Sequence, residues 1–180
     1  MLFRAVGETL TEFGEDKKHG LGGKIGFIGI LHTWDQKLLD HFHLHCLIPG
    51  GCLSFDKSKW ISTRKNFLFD VKDLSKTFRD KFTHLLDKAF KKKELIFPGR
   101  LCYLLDNGEF PSLLAKLCEK DWVVYSKESF VDPQHVLDYL GRYTHRVAIS
   151  NNRLIGIEEN NVAFSYKDRK DEGKIKSVTL

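Results

Sequence analysis

Residues 41–48 read HFHLHCLI, a run in which every second side chain from His41 is an imidazole. Side chains alternate across a β-strand, so His41, His43 and His45 share one face, roughly 7 Å apart for each two residues. The other face carries Phe42, Leu44, Cys46 and Ile48 and is wholly apolar. Imidazoles crowded on one face would repel on protonation, and a shared cation removes that penalty. The competing reading is a solvated histidine patch; three in alternation behind an apolar face favour a metal site. Imidazole ligands by themselves suit zinc, copper or nickel, magnesium prefers oxygen, and manganese tolerates both.

The second group lies in VDPQHVLDYLGRYTHRVAIS, where Tyr139 and Tyr143 are four residues apart. On a helix that spacing puts both hydroxyls on one flank, with Cβ atoms about 5–6 Å apart. Val136 and Leu140 share the flank, so taken alone the pair reads as a core stripe. Arg142 and Arg146 repeat the four-residue step and offer guanidinium forks suited to phosphate. Gly141 in mid-helix costs about 1 kcal/mol and points to close approach of another backbone. A phenol ionises near ~10, so as a nucleophile it needs a cation nearby.

The elements that must position these residues are legible from periodicity. Leu2, Phe3, Val6, Leu10 and Phe13 predict a first helix, ended by Gly20-Leu21-Gly22-Gly23. Lys24 to Trp34 is apolar on both faces and predicts a central strand; His41 to Ile48 returns as a second, closed by Pro49-Gly50-Gly51. Val71, Leu74, Phe78, Phe82, Leu85 and Phe90 mark a long amphipathic helix. PSLLAKL at 111–117 predicts a shorter helix, DWVVYS at 121–126 a strand, and Asp132-Pro133 the cap and first turn of the tyrosine helix. From Arg146 onward RVAIS, RLIGI, NVAFSY and KIKSVTL predict short strands joined by turns at 151–152, 159–160 and 171–173. The last residue, Leu180, falls in mid-strand, which reads as a truncation.

The bulk numbers set bounds. A chain of 180 residues with 42% hydrophobic and 29% charged residues suits one domain, or one with a small appendage. No apolar run of ~18 residues occurs, and the N-terminus lacks the pattern of a secretory signal. The net charge of +5 fits a polyanionic partner without requiring one. Lys91-Lys92-Lys93 reads as a solvated face. Cys46, Cys52, Cys102 and Cys118 form no C-x-x-C pair, so neither a zinc ribbon nor a disulfide framework is encoded; reduced thiols in a cytoplasm are expected.

Together, His43-Leu44-His45 and the downstream Tyr139-x-x-x-Tyr143 resemble the HUH endonuclease superfamily. The words HTWDQ at 32–36, DHFHLHCLIPGG at 40–51, DWVVYSK at 121–127 and YLGRYTHRVAISN at 139–151 narrow the resemblance to the two-tyrosine transposases of bacterial rolling-circle insertion sequences. It covers nearly the whole chain in order. It implies an α+β, ferredoxin-like (RRM-like) antiparallel sheet with packed helices: a catalytic core over 1–150, followed by a β-hairpin extension over 151–180. It also implies Mg2+ or Mn2+ on His43 and His45, and Tyr139 and Tyr143 as nucleophiles that nick and rejoin single-stranded DNA through a 5′-phosphotyrosine. His41 is the first choice of third ligand and Gln36 the second; His32 and His145 are as readily structural. Arg142 and Arg146 are candidates for the DNA backbone. The cysteine-rich N-terminal ribbon usual in such proteins is absent, as is the region past Leu180. A replication initiator or relaxase, and a non-catalytic nucleic-acid-binding module, are the alternatives.

Overall fold

The computed structural model describes the chain except for residues 18–19, 64–67, 107, 131, 145–147 and 169, and except for the side chains of Arg142 and Tyr143. It is α+β with small antiparallel sheets. The chain divides into two compact units, Met1–Ile28 with Leu47–Ser129, and Gly29–Cys46 with Phe130–Leu180.

In the first unit α1 (Leu2–Glu15) packs on α2 (Val71–Lys91), the long helix its apolar stripe predicts. Asp70 caps α2, its carboxylate accepting from the backbone N–H of Lys72 at 2.8 Å and of Asp73 at 3.0 Å. Lys88 and Lys91 in its last turn complement the helix dipole. Leu85 and Ala89 are buried; further along the unit, Phe90 stacks on Phe110 with ring centroids 4.0 Å apart. Phe110 belongs to α3 (Glu109–Glu119), which holds Pro111 in its first turn as expected.

Strands β3 (Gly51–Leu53) and β4 (Trp60–Ser62) form an antiparallel hairpin whose turn is tied by the Asp56 carboxylate, which accepts from the hydroxyls of Ser54 and Ser58. Lys24 bridges to Leu53 beside this hairpin rather than starting the long strand expected from position 24. Gly23 is required there, because a Cβ would stand 2.7 Å from Cys52 Sγ.

The expected strand over 121–126 is not formed. Side chains of α2 claim carbonyls that a neighbouring strand would have used: Ser75 Oγ donates to Trp122 O and Arg79 Nη1 to Lys120 O. Trp122 instead packs its ring against Phe78 and Phe82, each centroid 5.5 Å away.

In the second unit β1 (Ile28–Trp34) and β2 (Asp40–Leu47) pair as a two-stranded sheet. A connection of residues 35–39 is too short for a parallel crossover, so the pair is an antiparallel hairpin. Asp35 organises its turn by accepting from the backbone N–H of Lys37 and Leu39. The tyrosine helix α4 spans Pro133–Thr144, with the Asp132 side chain accepting from His135 N–H as the proline-led start predicts.

The C-terminal meander is formed by β5 (Leu154–Glu158), β6 (Asn161–Asp168) and β7 (Lys174–Thr179), in that spatial order. The turns fall where the sequence put them, with positive φ at Glu159, Glu172 and Gly173. Asn151–Arg153 is a single 3-10 turn, and the described part of RVAIS is not in a strand. Phe164 and Tyr166 on β6 are buried. Among the described residues the strands form three small sheets, of two, two and three strands. Among those residues no helix is long and apolar enough to cross a membrane.

Candidate metal and nucleophile site

The hairpin folds His32 of β1 against the histidine face of β2. Cross-strand neighbours stand about 5 Å apart, closer than alternate residues on one strand. The ring of His32 accordingly lies 5.4 Å from that of His43 and 4.8 Å from that of His45, and the latter two are 4.9 Å apart. One ring nitrogen from each of His32, His43 and His45 falls within 4.8 Å of the others, and all three residues are half-buried. His32 also stacks on Trp34, at 5.6 Å and 13°.

His41, expected as the third member, is not part of this trio. Its ring touches that of His43 at 4.7 Å, but positions 41 and 45 are about 13 Å apart along the strand, too far to share one ion. His41 is exposed. Gln36 lies in the turn.

Two hydrogen bonds orient the trio. His43 Nδ1 lies 2.8 Å from the carbonyl oxygen of His41, which can only accept. Nδ1 therefore carries the proton and Nε2 presents its lone pair, the arrangement that second-shell carbonyls impose on metal-binding histidines. His45 Nδ1 lies 3.0 Å from the Tyr139 hydroxyl, and its Nε2 is shielded from solvent. Burial, then the neighbouring His43 and His32, lower the His45 pKa to about 4. At neutral pH this ring is uncharged, the form in which an imidazole ligates a metal.

The lowered pKa also makes the His45 ring a weak acceptor for a phenolic proton. Phe130 packs on the Tyr139 ring from another side at 5.4 Å, so the half-buried phenol is held between an imidazole and a phenyl ring.

Tyr143 falls in the last turn of α4, but its side chain lies outside the described residues, as does that of Arg142. Arg146 and His145 are outside them altogether. For Gly141 the expectation of a close backbone is not met: among the described residues, a Cβ there would meet nothing within 4 Å.

Residues 26–180 match the family model described as a putative transposase, Y2_Tnp. The chain belongs to this transposase family. It is 47% identical over its whole length to "Putative transposase y4qJ" of Sinorhizobium fredii, covering 45% of that protein. It is 26% identical over 176 residues to "Transposase for insertion sequence element IS801" of Pseudomonas savastanoi pv. phaseolicola, covering 95% of this chain and 40% of that protein. The chain thus spans less than half the length of the curated relatives it matches. No solved structure matches it.

In this transposase-family chain His32 is the site residue that sequence reasoning undervalued. Its place beside His43 and His45 is set by the cross-strand register of the hairpin, which no local pattern in the sequence prints.

Proposed function

We propose that this chain is the strand-nicking core of a rolling-circle-type transposase, in which His32, His43 and His45 hold Mg2+ or Mn2+ and Tyr139 and Tyr143 are the nucleophiles on single-stranded DNA. The observation that carries the reading is the 3.0 Å contact between His45 of the trio and the Tyr139 hydroxyl, 94 residues apart in sequence. Membership of the transposase family supplies the substrate class.

The donor set fits an ion: three half-buried imidazole nitrogens lie within reach of one centre, and at His43 and His45 the protonation favours ligation. All-nitrogen ligation suits manganese better than magnesium. When bound, the cation offsets charge building on the scissile phosphate and favours the phenolate.

Everything else is done by the chain. His45 and Phe130 hold the Tyr139 ring so that its oxygen faces the trio. That oxygen attacks phosphorus as the bond to the 3′ oxygen breaks; the phenolic proton leaves to solvent and the departing oxygen takes one up. The products are a 5′-phosphotyrosine and a free 3′-hydroxyl. The phosphoester bond is conserved, so the same hydroxyl can reverse the step, or another strand can be joined, without a nucleotide cofactor. Tyr143, one turn on, supplies a second nucleophile while the first is loaded.

The test is incubation with labelled single strands tiled across the DNA flanking its gene, with Mn2+, followed by denaturing electrophoresis. The reading expects a shifted protein–DNA band that EDTA abolishes and the Tyr139→Phe, Tyr143→Phe double variant lacks. Metal-independent retention of DNA with no covalent band would instead identify a binding module.

A further inference from the structure

Arg153 belongs to neither the histidine trio nor the tyrosine pair, yet its guanidinium makes three hydrogen bonds within the second unit. Its Nε donates to the carbonyl of Ser165 on β6 at 2.7 Å, and its Nη2 to the carbonyl of Gln36 in the β1–β2 turn at 2.6 Å. Nη1 donates to the carbonyl of Ala148, just past the tyrosine helix, at 3.4 Å. The guanidinium also lies 5.5 Å over the ring of Phe164, a fully buried residue of the meander. The Ser165 hydroxyl donates back to the Arg153 carbonyl. The 3-10 turn Asn151–Arg153 sets the side chain on this path.

An arginine that served a phosphate would keep a two-pronged edge open. Here each of the three nitrogens donates to a carbonyl of its own chain and one face is turned to a ring, so three of the five N–H donors are engaged within the fold. The carbonyls belong to three segments: the turn of the histidine hairpin, the middle strand of the meander, and the chain leaving α4. A second cation repeats the link on the same turn, with Lys37 Nζ 4.7 Å from the centroid of the Tyr166 ring.

We propose that Arg153 is a positioning residue, bolting the turn of the histidine hairpin to β6 and to the exit of α4 and so setting how His45 meets Tyr139. The proposal rests on the nicking reading for its functional meaning, but its structural content stands by itself. The histidines all lie on one hairpin, so their mutual spacing is set within that hairpin. What Arg153 governs is the placement of that hairpin against the tyrosine helix. Loss of the fork therefore spares metal affinity and harms the chemical step.

The test needs no DNA at first. In the full chain, labelled with 15N and held near neutral pH, the His45 Nδ1 resonance reports its contact with the Tyr139 hydroxyl, and Tyr139→Phe gives the reference for its loss. Arg153→Met keeps apolar bulk over Phe164 but no donor, and should move the His45 resonance to the Tyr139→Phe position. Arg153→Lys keeps the charge without the fork and should fall between; if the Met variant does not fold, the Lys variant carries the comparison. With DNA and saturating Mn2+, adduct formation should slow by up to about 100-fold, the scale of a 1 Å misplacement, at unchanged Mn2+ affinity. A His45 resonance unmoved in both variants would overturn the proposal. So would a parallel loss of Mn2+ affinity, which would make Arg153 a support of the hairpin itself. A wild-type chain that forms no adduct would count against the nicking reading alone, because the NMR comparison remains.

Discussion

The two units are held together by different forces. In the first, apolar contacts dominate: Leu10, Leu85, Ala89, Leu104 and Phe110 are buried, and aromatic rings stack between α2, α3 and their neighbours. In the second, the buried apolar residues among those described are Phe164 and Tyr166 on one strand. Polar side-chain contacts are prominent beside them: an arginine on three carbonyls, a histidine on a tyrosine, three imidazoles edge to face. A unit built on packing is stable whatever is bound. A unit built around unlike polar groups gains order from the ligand that those groups share, and that is the half that carries the candidate site.

The contrast predicts separate responses. Phe110→Ala, which removes a ring stacked at 4.0 Å in the first unit, should destabilise the protein by about 3–5 kcal/mol in denaturant melts, with or without Mn2+. If Mn2+ rescued that loss, the separation of the units would fail. In the second unit, Mn2+ at about 100 times its Kd should add about 2.7 kcal/mol. His32→Ala should remove that gain and His41→Ala should not. The opposite result would return His41 to the site.

Acid should act on the second unit of the metal-free protein. His45 has a folded-state pKa of about 4 against an ordinary 6.5, so the unfolded chain takes up its proton first. The neutral ring's contribution is whole above pH 6.5 and is lost as pH falls from there through about 4. His45→Gln should flatten that slope, as followed by urea melts across the window; an unchanged slope would place the acid sensitivity elsewhere. The smallest effect is at Gly141, where a Cβ meets nothing among the described residues and Gly141→Ala should stabilise α4 by about 1 kcal/mol. If adduct formation falls while stability rises, that space is used by the DNA.

The helices were legible because each carries its own signals. Asp70 and Asp132 cap the helices that follow them, and the stripe from Val71 to Phe90 lies on one helix. The meander was legible because turn-forming Asn160 and Gly173 stand between its alternating segments, although positive φ also falls on Glu159 and Glu172. What local pattern could not supply was pairing. DWVVYS alternates like a strand, but Ser75 of α2 takes its Trp122 carbonyl and Arg79 the Lys120 carbonyl just before it; His41 has the alternation of a ligand, but the third imidazole of the trio comes from across the hairpin. Arg153 was invisible for a related reason. Its partners are backbone carbonyls, among them one 117 residues away, and carbonyls leave no mark in a sequence.

The most direct test is to digest the covalent adduct with trypsin and locate the nucleotide by mass spectrometry. Cleavage after Lys127, Arg142 and Arg146 separates residues 128–142, which contain Tyr139, from residues 143–146, which contain Tyr143. The account predicts Mn2+-dependent nucleotide on one or both of these peptides, attached through the tyrosine. Nucleotide on any other residue, or no adduct from the folded protein on any strand flanking its gene, would contradict it.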